Sequence, residues 1–266
     1  MPSELVKPSD VLRSASGEPV RTFALGGNRN VRQPRDLPLA AREAGVNYFF
    51  AYSMNDHEIG DYLDGLADLC ADPVQRKKIF ISCGTQNFKE SDAITAHVER
   101  CLARLGTTYL DAFFLEYVCC GEEQTALDAI RWMRSSSGLV VEPGGRCGID
   151  GPVRYVGCTT HDRCVGVRLL NSERVSVGGV DSGEDGRVNG ASEERFKVKC
   201  ELDLLMARYN MAHTRAEAAL FPLAVKQGVP VIAFTSTRWN TLQKVRLSID
   251  RSLRALSRAT PLSFDP

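Results

Sequence analysis

Two hydrophobic periods take turns along this chain. Val98, Leu102 and Leu105 recur at helical spacing, Gly106 can end that helix, and the apolar run from Leu110 to Leu115 reads as a strand covered on both faces. The same exchange predicts strands over 21–24, 47–52, 78–83, 110–117, 153–158, 202–209 and 229–234. Between them it predicts helices over 37–44, 56–69, 92–105, 125–134 and 215–227, with a short helical segment over 162–170. Strands separated by helices imply right-handed crossovers into a parallel α/β sheet. Periodicity alone leaves an open doubly wound sheet and a closed barrel both standing. No G-x-G-x-x-G follows the first strand to favour the open form, and the seven strand candidates are one fewer than a closed eight-stranded barrel contains. The lone carboxylate Glu116 appears as the fourth of these strands ends, where such folds place their chemistry.

Composition narrows the function more than the fold. With 266 residues, 43% of them hydrophobic and 25% charged, the chain can bury one large core. Its 33 basic residues balance 33 acidic ones, so no net field favours nucleic acid or an anionic membrane. No apolar run approaches the roughly 20 residues of a membrane span, and residues 1–20 form a polar segment, expected to be disordered, without the apolar core of a secretory signal. A cytoplasmic protein is expected. Nine cysteines, an odd number without paired C-x-x-C spacing, read as reduced thiols, and no metal site is expected.

The segments AREAGVNYFFAYS, VERCLARLGTTYLDAFFLEY, VRYVGCTTHD, LMARYNMA and GVPVIAFTSTRWNTL, taken in order and spacing, resemble the aldo-keto reductase superfamily. The resemblance covers roughly residues 21–244 and implies a (β/α)8 TIM-type barrel, here incomplete at its C-terminal end with about seven strands. It also implies an oxidoreductase that binds NADP(H) at the C-terminal face and reduces carbonyl groups. Two stretches read as insertions, near 140–152 and 175–200, and 245–266 as a divergent tail.

Carried over one position at a time, the family's active residues are all replaced. Its aspartate falls on Phe50, its tyrosine acid on Asn55, its lysine on Gly84 and its histidine on Glu116. A tyrosine of ordinary pKa ~10 needs a neighbouring cation to donate a proton well at neutral pH, and neither Phe50 nor Gly84 can ionise. The pair that holds the nicotinamide carboxamide falls on Thr159 and Thr160, the partnering glutamine on Met206, and the stacking aromatic on Phe234. Two readings follow: a divergent oxidoreductase-fold protein binding a small molecule, with NADP(H) the candidate the resemblance implies, at the barrel mouth, or a noncatalytic relative acting as a regulatory or scaffold subunit with a protein partner.

Several polar residues remain as candidates. Glu116 and Arg208 are expected to share the inner face and to meet at the mouth, either as a functional pair or as a partly buried ion pair. Tyr52, two residues past Phe50, is a candidate replacement acid, with a core aromatic as the alternative. His161 is placed at the mouth or at the following helix start, Arg238 and Trp239 in a loop suited to an anionic or aromatic ligand, and Asp56 at a helix N-cap.

Overall fold

The computed structural model describes residues 8–27, 32–135, 137–140, 151–172, 200–210 and 212–236. Seven parallel strands lie side by side in chain order: β1 (Ala24–Gly26), β2 (Tyr48–Ala51), β3 (Phe80–Thr85), β4 (Leu110–Leu115), β5 (Val153–Thr160), β6 (Leu204–Arg208) and β7 (Val231–Phe234). A doubly wound sheet would reverse this order at its switch point. The unbroken order instead makes a curled, incomplete (β/α)8 barrel, and no eighth strand occurs among the described residues. The helices are α1 (Pro8–Val11), α2 (Leu37–Glu43), α3 (Asp56–Ala71), α4 (Pro73–Lys78), α5 (Ser91–Leu105), α6 (Glu123–Ser135), α7 (Arg163–Leu170) and α8 (Leu220–Gln227). Among the described residues no helix is long and apolar enough to cross a membrane.

Strand alternation sorts the core into two clusters. Tyr48, Phe80, Ala112, Phe114, Leu204 and Met206 fill the inside of the curled sheet, with Phe50, Tyr155, Ile232 and Phe234 packed on them. Phe49, Ile81, Phe113, Val156 and Leu205 point outward, into a layer shared with helix residues such as Leu63, Val98, Ile130 and Leu169. The central strands, β2 to β6, are therefore apolar on both faces, the pattern their sequence carries.

The expectation of a disordered N-terminal segment is corrected for residues 8–20. Ser14 N–H donates to Glu18 O at 2.9 Å, Val20 N–H to Leu12 O at 3.2 Å and Ser16 N–H to Lys77 O at 2.8 Å. Gly17, at φ +86°, turns the chain, and Leu12 and Val20, both 0% exposed, join the inner cluster. Two apolar residues on a short turn leave no period to read, so their burial is decided by the hollow they fill.

One predicted helix changes and an unpredicted helix appears. The helix over 215–227 divides into a 3-10 turn, Thr214–Ala218, and α8. Pro222 explains the break, because it lacks an N–H and its ring would clash with the carbonyl four residues earlier. Helix α4, absent from the periodicity, starts where the Asp72 carboxylate accepts from Val74 N–H at 2.8 Å.

A buried ion network ties the N-terminal ends of the strands together. Asp111, on β4, accepts from Arg76 Nη1 at 2.8 Å, Arg154 Nη1 at 2.7 Å and Ile81 N–H at 2.9 Å. The Arg76 guanidinium lies 3.8 Å from the Tyr109 ring centre and donates to Tyr109 O at 2.7 Å. Tyr109 and Asp111, within the segment VERCLARLGTTYLDAFFLEY, thus act at the end of the sheet opposite Glu116.

Candidate functional site

At the C-terminal ends of the strands, the chain leaves β4 through Glu116 and a left-handed Tyr117 at φ 58°. Tyr117 N–H donates to Thr159 Oγ1 at 2.9 Å, Val118 N–H to Thr159 O at 2.9 Å, and Thr160 Oγ1 to Val118 O at 2.9 Å. Both threonine side chains are therefore buried and engaged in pinning the loop after β4. Asp162 then caps α7, accepting from Cys164 N–H at 2.7 Å.

Glu116 is only 4% exposed, and its Oε1 has no hydrogen-bond partner. It leans over Gly84: a Cβ on residue 84 would lie 2.5 Å from Glu116 Oε1, 2.7 Å from its Cγ and 2.7 Å from the Phe114 carbonyl oxygen. The space that a side chain at 84 would need is filled by this carboxyl group. Burial, and secondarily the charge of the nearby Cys101 sulfur, pushes the Glu116 pKa up to about 8. At neutral pH the group is a neutral acid that can donate a hydrogen bond.

The expected Glu116–Arg208 pair is not formed: neither residue enters an ion pair among the described residues. The missing side chain at Gly84 lets Glu116 fold toward β3, while Arg208 stands at the end of β6 in register with Phe234. Arg208 is half-buried, its Nε buried without a partner, and its positive charge, second to burial, lowers the His161 pKa.

The remaining candidates separate. Phe50 meets Phe114 edge-on inside the sheet, with ring centres 6.0 Å apart. β2 ends at Ala51, the alternation lapses, and Tyr52 packs against the outer cluster rather than on the inner face with Phe50, the core-aromatic alternative. Asn55 is the N-cap of α3 and accepts from His57 N–H at 3.0 Å, displacing Asp56 from that role. Met206 is 4% exposed on the floor of the mouth. Over that floor, His161 stacks on Tyr117 at 5.1 Å and meets Phe234 edge-on at 4.7 Å. A shallow depression of about 430 Å³ opens beside this stack, lined by Tyr117, Val118, Cys119, Cys120, His161 and Asp162. Arg238 and Trp239 lie outside the described residues, as do 141–150 and 175–199 of the expected insertions and the whole expected tail, 245–266.

Sequence reasoning missed Tyr117 as a rim aromatic and Gly84 as the seat of Glu116. The first depends on a left-handed residue after the strand, and no local pattern announced it. The second required strand register, which brings Gly84 beside Phe114, two residues before Glu116.

The Glu116 proton has a measurable consequence. The folded group holds it up to about pH 8, whereas an unfolded glutamate releases it near 4.5. Between those values the folded state binds more protons, so this group lowers stability as pH rises, by at most about 1.4 kcal/mol per unit. Below 4.5 both states are protonated; above 8 the penalty is constant. Glu116→Gln should gain in Tm over the wild type progressively from pH 5 to pH 8. A difference independent of pH would mean that the native carboxyl is already ionised.

No protein-family model matches the chain, and no curated protein matches it in sequence. Solved structures do match in fold. An aldo/keto reductase from Klebsiella pneumoniae in complex with NADP and acetate superposes with a TM-score of 0.56 at 17% identity, over 86% of this chain and 68% of that one. A thermostable aldo-keto reductase in complex with the inhibitor epalrestat gives 0.54 at 17% identity, over 94% and 79%. An aldo-keto reductase from Bombyx mori in complex with NADP gives 0.51 at 16% identity, over 84% and 65%.

Proposed function

We propose that this chain, which has the aldo-keto reductase fold, binds a small molecule at the C-terminal mouth of its sheet and does not carry out hydride transfer through the superfamily's tetrad. The observation that carries this reading is the Glu116 carboxyl: buried, neutral at pH 7, with a free Oε1, and seated on Gly84 where the lysine would begin. A donor of this kind favours a ligand that presents a carbonyl or other acceptor, because a buried polar atom left unpaired costs about 1–3 kcal/mol.

Reduction by NADP(H) needs a proton donor beside the carbonyl and a grip on the nicotinamide. Asn55 is occupied as a helix cap, Phe50 and Gly84 cannot ionise, and the Thr159 and Thr160 hydroxyls hold the loop after β4. Met206 offers no strong polar atom, and one approach to Phe234 is taken by His161. These residues do not fit a nicotinamide held for hydride transfer. NADP is nevertheless the ligand of the Klebsiella pneumoniae and Bombyx mori neighbours, which makes NADPH the first compound to try on this chain.

Titrating the protein against NADPH and following the coenzyme's fluorescence, then adding a panel of aldehydes and ketones, tests the reading. The expected result is no carbonyl-dependent consumption of NADPH above the buffer rate. Saturable binding followed by stoichiometric turnover would falsify it.

A further inference from the structure

We infer that the mouth takes a small organic carboxylate with an apolar body, its charge held by Arg208 and a second acceptor atom met by Glu116. This deepens the ligand-binding reading above and rests on it.

Arginines seated against the sheet elsewhere in this protein meet a carboxylate: Arg76 and Arg154 share Asp111 at 2.8 and 2.7 Å, and Arg134 meets Asp203 at 2.7 Å. Arg208 has no such partner among the described residues, although it is half-buried and its Nε is shut from water. A cation so placed carries a desolvation cost that a bound anion would offset. Its position faces the mouth. Leu204 and Met206 belong to the inner cluster, so alternation puts Arg208, at the last step of β6, on the same face. The carboxylate expected to neutralise it, Glu116, is instead turned onto Gly84 and protonated.

The surroundings choose among anions. Below Arg208 lie Met206, Phe234 and the Phe50–Phe114 pair, a floor of apolar and aromatic groups. One guanidinium over such a floor suits a monoanion with a planar head and an apolar body, because the fork of N–H donors matches a carboxylate in two parallel bonds. A phosphate, with more charge and more acceptors, would call for more donors than Arg208, the one arginine placed there among the described residues, supplies. Glu116, with an unpartnered Oε1 at 4% exposure, is on the inner face of β4 beyond Ala112 and Phe114, where it can meet a carbonyl or hydroxyl on the ligand body.

The test uses benzoate, the neutral isostere benzamide and inorganic phosphate in calorimetric titrations of the full chain at pH 7. Benzoate should bind more tightly than the other two. Arg208→Ala should weaken benzoate by about tenfold or more while changing benzamide little, and Arg208→Lys should recover part of the loss. An unchanged urea midpoint in Arg208→Ala separates this from unfolding; if that variant does not fold, Arg208→Lys and Arg208→Gln give the comparison. Equal binding of benzoate and benzamide, both indifferent to Arg208, overturns the carboxylate assignment and leaves a neutral-ligand mouth. Tighter binding of phosphate than benzoate also overturns it. No binding of any of the three up to about 10 mM overturns this inference, whereas the reading beneath it stands or falls on the NADPH titration.

Discussion

Asp111→Ala should lower the unfolding free energy by about 3–5 kcal/mol, the cost of leaving a buried charge without its partner. The Asp111 side chain is 0% exposed and that of Arg76 4% exposed. Arg76 cannot swing out to water when the carboxylate goes, because it also donates to Thr107 Oγ1 at 3.0 Å, Ile79 O at 3.3 Å and Tyr109 O at 2.7 Å. Ile81 N–H would lose its acceptor as well. Asp111→Asn should fall in between, since the amide oxygen can still accept from Ile81 while the charge is gone. The exposed pairs of Arg104 with Asp56 and Asp64 provide the contrast, and breaking them should cost no more than about 1 kcal/mol. Urea unfolding followed by circular dichroism checks all three. An Asp111→Ala loss below that of Arg104→Ala would mean that the network is solvated and not a brace.

That brace shows how recognition in sequence and function in space can part. Tyr109 and Asp111 belong to one of the segments that carry the resemblance, yet they hold the N-terminal ends of β3, β4 and β5 together, opposite the candidate site. The alternation of strands and helices is legible because the central strands, β2 to β6, are largely buried on both faces and each long helix shows one apolar stripe, both being local and periodic signals. Leu12 and Val20 carry no such signal, and their place inside the sheet follows from a cavity made by residues far along the chain. The site was legible as a set of positions and not as an arrangement. Glu116 and Arg208 do fall on the inner face, as alternation requires, but whether they meet depends on what lies between β4 and β3, and there the deciding residue is the side chain that Gly84 lacks.

Gly84→Ala, the addition of one methyl group, should therefore cost about 2–3 kcal/mol. The new carbon would fall 2.5 Å from Glu116 Oε1 and 2.7 Å from both Glu116 Cγ and the Phe114 carbonyl oxygen. Backbone conformation is not the cause, because Gly84 is not among the glycines of positive φ. If the carboxyl group is what closes this position, then Glu116→Ala should make Gly84→Ala much less harmful, and the double-mutant cycle should show a coupling of about 1–2 kcal/mol. Some penalty should survive in the double variant, since the Phe114 carbonyl belongs to β4 and cannot move away. Additive losses would place the obstruction in the strand spacing and free Glu116 of any role in it. The cycle also bears on the proposed function: a lysine at 84, where the resemblance places the superfamily's cation, shares this Cβ, so it is open only to a chain that first gives up Glu116. Restoring the cation alone would still leave Asn55 capping α3 and Phe50 against Phe114, which is why Gly84→Lys in the Glu116→Ala background should fold without gaining NADPH-dependent carbonyl reduction.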